Sequence, residues 1–156
     1  MGIRFFIPNM ELKQWIKDYA GDRFIVDVGA GTGEFALEMN AIGAKIMCIE
    51  PYPLFHVNTF KFISKGIQWW PETVENSEKL IKGLGKKALF LFARPCHSNF
   101  VETCIDYMDD EAEVLYITIP ENVTKYQDLG RWDDNKILLD HKGTSKDEEV
   151  IYSIKK

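Results

Sequence analysis

The sequence predicts an α/β domain built on a mostly parallel, seven-stranded sheet with helices on both faces. Short apolar segments alternate along most of the chain with segments that repeat apolar residues at helical spacing. Such alternation is typical of strand–helix–strand units, in which the crossovers are right-handed and the strands run parallel. The last two strands are separated by only a short turn, which predicts an antiparallel hairpin at the C-terminal end of the chain.

Length and composition indicate one globular domain. The 156 residues, 46% of them hydrophobic and 28% charged, are enough to bury a sizeable core but leave little room for a second module. We therefore expect one domain over 1–156, with a leading helical segment at 1–22 and the sheet with its helices at 23–156.

Charge and cysteine content favour a cytoplasmic protein without an extended nucleic-acid surface. The formal charge is −5, and no run of Lys or Arg is present to neutralise phosphates. No apolar run approaches the length that crosses a membrane, and the start of the chain lacks the long apolar stretch of a signal peptide. The scattered cysteines, Cys48, Cys96 and Cys104, indicate reduced thiols.

Residues 23–40 carry the most informative pattern in the chain. A buried strand leads into Asp27, a glycine-rich turn at 29–33 and then a helix. Glycines in such a turn can adopt unusual backbone angles and let a ligand lie against the N–H groups at the helix start. Glu50 ends the next apolar run, 45–49, where a carboxylate can accept hydrogen bonds from ribose hydroxyls.

Helical spacing of apolar residues predicts five helices, over 11–20, 34–42, 54–64, 78–84 and 99–108. Local signals support three of their starts. Pro51 lies just before the third helix, where proline suits the first turn. Asn76 and Ser77 can cap the fourth helix, and Asn99 with Glu102 has the pattern of a capping box for the fifth.

Two of these helices carry aromatic residues whose orientation affects the ligand site. In the first helix, Trp15 and Tyr19 are expected to pack in the core, the alternative being that they cover the mouth of the site. In the third helix, Phe55, Phe60 and Ile63 are expected to face the core.

Short apolar runs predict seven strands, at 24–26, 45–49, 67–70, 88–92, 113–119, 136–140 and 150–154, with a short helical or irregular piece at 124–132. The run at 88–92 is apolar throughout, as a central parallel strand requires. Ligands of such sheets bind beyond the carboxyl ends of the strands, where the strand order reverses.

The segment DVGAGTG at 27–33, followed by IEPYP at 49–53, resembles motif I and the next acidic residue of class I, Rossmann-like, S-adenosylmethionine-dependent methyltransferases. The resemblance implies the methyltransferase fold, S-adenosylmethionine as cofactor and S-adenosylhomocysteine as product. It also implies that the glycine-rich turn lines the methionine and ribose part of the cofactor and that Glu50 holds the ribose diol. An acidic residue after the third strand, Glu72 or else Glu75, would contact the adenine amino group. The cofactor residues implied in this way are Asp27, Gly29, Ala30, Gly31, Gly33, Glu50, Pro51 and Glu72.

A dinucleotide site, and with it an NAD-dependent oxidoreductase, is the main rival interpretation of the glycine-rich turn. Its fingerprint requires a small residue at the third position of G-x-G-x-x-G/A. Here that position is Glu34, whose carboxylate would repel a pyrophosphate, whereas a sulfonium cofactor carries no phosphate. The pattern therefore favours a methyltransferase-type site.

The segment after the fourth strand, 93–99, is expected to adjoin the transferred methyl group. The amino-methylating enzymes of the family carry Asn/Asp-Pro-Pro-aromatic there, and this chain does not. His97 could act as a general base on the acceptor, or it could form a hydrogen bond across the loop or lie in water. Arg94 could bind an acidic substrate through its planar fork or pair with Glu121.

A second resemblance involves Cys96. Cytosine-C5 methyltransferases carry Pro-Cys at this place and Glu-Asn-Val after the fifth strand, and both occur here, at 95–96 and 121–123. That resemblance implies a nucleophilic thiolate that adds to C6 of a pyrimidine. The alternative is that Cys96 is an ordinary loop cysteine without a catalytic role. The residue that usually follows Pro-Cys in the DNA enzymes is Gln, and here it is His97.

Three function classes remain open from sequence. The first is an active methyltransferase on a small molecule, a protein or RNA. The second is a non-catalytic cofactor- or partner-binding module with the same fold, acting as a homodimer or with another protein. The third is the oxidoreductase. His56 and His141 are isolated from any cysteine pair, so no metal site is expected.

Overall fold

The computed structural model describes residues 6–51, 59–95, 99–118, 136–142 and 148–155. These residues form five α-helices, one short 3-10 helix and seven strands. The helices are α1 (Met10–Ala20), α2 (Glu34–Ala41), α3 (Thr59–Lys65), α4 (Glu78–Leu84) and α5 (Asn99–Tyr107), with the 3-10 helix at Gly85–Lys87. The strands are β1 (Phe24–Val28), β2 (Ile46–Ile49), β3 (Gln68–Trp70), β4 (Ala88–Ala93), β5 (Glu113–Thr118), β6 (Lys136–Lys142) and β7 (Glu148–Lys155).

The strands form one sheet in the order β3-β2-β1-β4-β5-β7-β6. The five strands from β3 to β5 are parallel, whereas β7 runs antiparallel to both β5 and β6. This confirms the prediction of a mostly parallel sheet with a C-terminal antiparallel hairpin. Strand order reverses between β1 and β4, so their carboxyl ends flank the crevice in which ligands of such sheets bind.

Helices pack on both faces of the sheet, as predicted. Phe90 of β4 packs with Ile81 of α4 on one face. Its neighbour Leu89 packs with Leu12 of α1 and Phe35 of α2 on the other face. All five residues are buried, and each large apolar side chain buried in this way contributes about 1.5–3 kcal/mol.

Two local details differ from the predicted ends of elements. Strand β1 continues to Val28, so Asp27 lies inside the strand and not at its end. Ser77 occupies the N-cap position of α4, but its hydroxyl donates to the carbonyl of Thr73 and caps no N–H group. By contrast, Asn9 does cap α1, since its Oδ1 accepts from the N–H of Leu12 at 2.8 Å.

The prediction for the inner face of α3 was wrong. Phe60 and Ile63 are 82% and 73% exposed, whereas Phe62 is 1% exposed and belongs to the core. The N–H of Ile67 donates to the carbonyl of Phe62 at 3.0 Å, and this tight turn into β3 fixes Phe62 on the inner side. A helix of seven residues can bury only a narrow face, and here Phe62 occupies it. The predicted role of Phe55 and the predicted piece at 124–132 lie outside the described residues.

Candidate cofactor site

The glycine-rich turn closes at the carboxyl end of β1, inside the crevice. The N–H of Gly29 donates to the carbonyl of Ile49 at 2.8 Å, and the N–H of Gly33 donates to the carbonyl of Ala30 at 3.0 Å. Gly29, Gly31 and Gly33 have φ of +74°, +58° and +76°, a region that side-chain-bearing residues rarely adopt. Gly33 then serves as the N-cap of α2. The turn therefore requires glycine at each of these three positions.

Glu50 is the residue that joins this turn to β2. Its side chain is buried, and Oε2 accepts a hydrogen bond from the N–H of Gly31 at 3.0 Å. A carboxylate that accepts from a backbone N–H makes a charge-assisted bond, stronger than one between neutral groups. Glu50 thus holds the tip of the turn from the neighbouring strand.

The backbone of Glu50 is held in turn by β3. The indole N–H of Trp69 donates to the carbonyl of Glu50 at 3.4 Å. The carbonyl of Trp70 accepts from the N–H of Glu50 at 3.1 Å and from the N–H of Glu72 at 2.9 Å. Glu72 is therefore brought beside Glu50, and its carboxylate accepts from the side-chain amide of Asn76 at 3.4 Å. The sequence did not indicate the role of Trp69.

Asp27 and Glu50 both lie close to the thiol of Cys48. Asp27 pairs with Cys48 in the register of β1 and β2, and all three residues are buried. Burial raises the pKa of Cys48 well above its ordinary value, and the charges of Asp27 and Glu50 raise it further. Cys48 is therefore a neutral thiol near the carboxyl groups of Asp27 and Glu50, whose ionised forms make the local field negative. Such a field suits a cationic ligand better than a phosphate.

Arg94 follows directly after β4 at the same edge of the sheet. Its N–H donates to the carbonyl of Ile117 at 2.8 Å, which extends the pairing of β4 with β5. Within the described residues it alone combines a side chain with a positive φ, +52°. A side-chain-bearing residue held in this region costs roughly 1–3 kcal/mol, and such residues cluster at functional sites.

Phe100, in the first turn of α5, forms a wall beside the glycine-rich turn. A Cβ atom added at Gly29 would lie 3.7 Å from Cε2 of Phe100. The ring also packs on Phe92 of β4, with the centroids 5.5 Å apart. The sequence placed Phe100 only within the predicted fifth helix, 99–108. Its contact with the turn depends on how α5 crosses the sheet, and no sequence pattern indicates that crossing.

The structure thus brings together all the predicted cofactor residues at the carboxyl ends of β1, β2 and β3, where Pro51 directly follows Glu50. Arg94 joins them from β4. The other predicted catalytic residues, Cys96 and His97, lie outside the described residues, as does the segment at 121–123.

A second polar cluster lies at the opposite edge, where β5 begins. The carboxylate of buried Glu113 accepts from Nη1 of Arg23 at 2.7 Å and from the hydroxyls of Tyr19 and Ser153. Tyr19 also stacks on Trp15, with the ring centroids 5.2 Å apart. The aromatic pair of α1 is therefore part of the packing at the edge remote from the crevice and does not cover its mouth.

This cluster shifts the pKa values of Tyr19 and Glu113 in opposite directions. Burial and the hydrogen bond to Glu113 raise the pKa of Tyr19 to about 12. Burial alone would raise the pKa of Glu113, but the hydrogen bonds from Arg23, Ser153 and Tyr19 outweigh it and lower that pKa. The network keeps Glu113 ionised inside the fold.

In the described part of the chain, no helix is both long enough and apolar enough to cross a membrane. No three His, Cys, Asp or Glu side chains among the described residues lie where they could hold a metal ion together.

Comparison with solved structures gives the fold. The 23S rRNA methyltransferase ErmE superposes with a TM-score of 0.66 at 16% identity, over 97% of this chain and 69% of that chain. The precorrin-6y C5,15-methyltransferase of Geobacter metallireducens GS-15 gives 0.59 at 12% identity, over 100% and 94%. A SAM-dependent methyltransferase from Archaeoglobus fulgidus gives 0.60 at 12% identity, over 94% and 91%.

The chain spans 38% of the length of another similar structure, the bifunctional kinase–methyltransferase WbdD, which it matches with a TM-score of 0.57 at 11% identity. No protein-family model matches the sequence, and no curated protein matches it. The fold is therefore that of the class I, Rossmann-like methyltransferases.

Proposed function

We propose that the protein binds S-adenosylmethionine in the crevice beside the glycine-rich turn and transfers the methyl group to an acceptor. The observation that carries the proposal is the 3.0 Å hydrogen bond from the N–H of Gly31 to Oε2 of Glu50. It joins the turn after β1 to the acidic end of β2 at the point where the strand order reverses, which is where adenosine-containing ligands of this architecture bind.

The residues present fit this cofactor. Nothing lies within 4 Å of a Cβ added at Gly31, so the turn has open space beside it. The buried carboxylates of Asp27 and Glu50 favour a ligand with a positive sulfonium. Glu34 is exposed in the first turn of α2, where a pyrophosphate of NAD would otherwise sit. The donor set therefore favours the sulfonium ligand over the dinucleotide.

Each residue has a proposed task. Glu50 accepts from the ribose hydroxyls, with Pro51 shaping the chain beside it, and Glu72 accepts from the adenine amino group. Asp27 binds the methionine part. The turn supplies backbone contacts through Gly29, Ala30, Gly31 and Gly33.

Catalysis in this scheme is mainly positioning. The bound sulfonium supplies an excellent leaving group, so the protein has to hold the acceptor in line and exclude water. Phe100 supplies an apolar wall next to Gly29. His97 is the candidate base for acceptors that must lose a proton, and Cys96 is the candidate nucleophile for a pyrimidine acceptor.

Acceptors differ widely among the similar structures: their names specify 23S rRNA, ribosomal protein L11 and the 7-oxygen of mitomycin. The fold therefore supports methyl transfer without selecting the acceptor.

The test is isothermal titration calorimetry with S-adenosylmethionine, S-adenosylhomocysteine and NAD⁺. We expect saturable binding of the first two only. Gly31→Ala should abolish it, because the added Cβ would enter the space assigned to the ligand. Gly66→Ala is the matched control, since Gly66 also has a positive φ (+69°) and open space but lies in the α3–β3 turn.

Binding of NAD⁺ alone, or equal effects of the two substitutions, would overturn the proposed cofactor site. Cofactor binding without transfer to any acceptor class would favour the non-catalytic module.

A further inference from the structure

We infer that Trp69 is a positioning residue of the cofactor site, and that its indole N–H determines how strongly the site depends on the ribose hydroxyls of the ligand. Trp69 acts through Glu50, the residue whose carbonyl accepts from the indole and whose carboxylate is assigned to those hydroxyls. The inference rests on the proposed function, because it concerns the orientation of a group within the same site.

The way in which the pairing of β2 with β3 ends gives the first argument. The two strands pair up to Ile49 and Trp70, and one further bond follows, from the N–H of Glu50 to the carbonyl of Trp70 at 3.1 Å. In a continuing parallel ladder, the carbonyl of Glu50 would next accept from the N–H of Glu72. That N–H instead turns back and donates to the carbonyl of Trp70 at 2.9 Å. The carbonyl of Glu50 therefore loses its donor from the ladder.

The indole of Trp69 takes the place of this donor. Its N–H donates to the carbonyl of Glu50 at 3.4 Å. Glu50 is 6% exposed, and a buried carbonyl without a donor costs free energy comparable to a lost hydrogen bond. The ring of Trp69 also packs against the core shared with α1 and α2. Phenylalanine or leucine would provide similar apolar packing without supplying a donor, so the N–H gives tryptophan a task beyond packing.

Glu50 is thus held at three points. Its N–H is bound by Trp70, its carbonyl by Trp69, and its Oε2 by the N–H of Gly31. The two backbone bonds fix the direction in which the side chain leaves the main chain, and Pro51 further restricts that backbone to extended conformations. Loss of the indole N–H removes one backbone bond, so the carboxylate has to be ordered when the ligand binds. Such ordering reduces affinity.

The experiment compares S-adenosylhomocysteine with its 2′,3′-dideoxy analogue by calorimetry on the full chain. The wild type should bind the first about tenfold or more tightly, because a hydrogen bond to a charged group is lost in the analogue. Trp69→Phe removes the indole N–H and should reduce this preference to about threefold or less. Affinity for the dideoxy analogue should stay within twofold.

A second variant separates the hydrogen bond from packing. Replacing Trp69 by 3-benzothienylalanine keeps the bicyclic ring and exchanges only the N–H for sulfur, so it should reproduce the loss of preference. Trp15→Phe is the matched control, because Trp15 is also partly buried against the same core but stacks on Tyr19 at the edge remote from the crevice. It should leave the preference unchanged.

The outcomes distinguish this inference from the proposed function. A preference that survives either substitution of Trp69, or an equal loss of affinity for both ligands, would overturn the positioning role and leave the cofactor site intact. Equal binding of the two ligands by the wild type would overturn the assignment of Glu50 to the ribose, and the inference with it. Failure of the wild type to bind S-adenosylhomocysteine would overturn the proposed function itself.

Discussion

Gly31 follows strand β1 and Glu50 follows strand β2, and the N–H of Gly31 donates to Oε2 of Glu50 at 3.0 Å. The contact makes the conformation of the glycine-rich turn depend on the end of β2. One carboxylate thereby supports the protein loop and, in the proposed site, faces the ribose of the ligand.

Substitutions at Glu50 should separate these two tasks. Glu50→Ala loses both, and we expect S-adenosylhomocysteine affinity to fall by about tenfold or more, which corresponds to about 1.4 kcal/mol. Glu50→Gln keeps an amide oxygen that can accept from Gly31, so the loss should be smaller. Calorimetry measures both. Glu111→Gln, at an exposed carboxylate remote from the crevice, should have no effect. Equal losses for Gln and Ala would contradict a separate loop-holding role.

Glu113 is the position where we expect the largest loss of stability. Its side chain is 5% exposed and accepts from Arg23, Tyr19 and Ser153. Glu113→Gln leaves the Arg23 charge without its carboxylate, and since Arg23 is 27% exposed we expect about 2–3 kcal/mol of destabilisation. Chemical denaturation measures it. Tyr19→Phe, which removes one hydrogen bond, should cost about 1 kcal/mol. An unchanged free energy of unfolding in Glu113→Gln would show that the network is not needed for stability.

Acid should weaken the wild type through the same residue. The folded state holds the pKa of Glu113 below its ordinary value of 4.5. The unfolded chain therefore takes up this proton first, and the contribution to stability, present above about pH 4.5, is lost as pH falls through the folded pKa. The free energy of unfolding should therefore fall less steeply with acid in Glu113→Gln than in the wild type. If the free energy of unfolding falls equally steeply with acid in the wild type and in Glu113→Gln, Glu113 is not the residue responsible.

Tyr19 should make the stability of the protein depend on pH on the alkaline side. Its pKa is raised to about 12 in the folded protein, from an ordinary value of 10.0. The folded state therefore keeps the proton longer than the unfolded chain, and this contribution is lost as pH rises from about 10 towards 12. Tyr19→Phe should flatten the alkaline limb in that window. The ultraviolet signal of tyrosinate, followed in the wild type and the variant, reports which residue titrates.

Sequence spacing predicted the turn, Asp27 and Glu50 because these features are local. Gly31 and Glu50 are only 19 residues apart, within one strand–helix–strand unit whose geometry is nearly fixed. Glu113 was missed because its partner Arg23 lies 90 residues away and meets it only after the whole sheet has formed. The prediction for the inner face of α3 was wrong for a similar reason. Phe60 and Phe62 are equally apolar, and the turn into β3 determines which of the two side chains is buried. The positive φ of Arg94 has no signal in sequence, because arginine does not prefer that region.

Cys48 and Cys104 should resist alkylation in the folded protein, which provides a direct test of the buried arrangement around Asp27 and Glu50. Both thiols are free and buried. Burial raises the pKa of each, and for Cys48 the two carboxylates raise it further. Since the thiolate is the reactive form, neither should react with iodoacetamide at pH near 8, as read by peptide mass spectrometry. The same reagent in guanidinium chloride should label both and serves as the control. Labelling of Cys48 in the folded protein at the unfolded rate would show that the carboxyl end of β2 is open to solvent and that the two carboxylates do not enclose it.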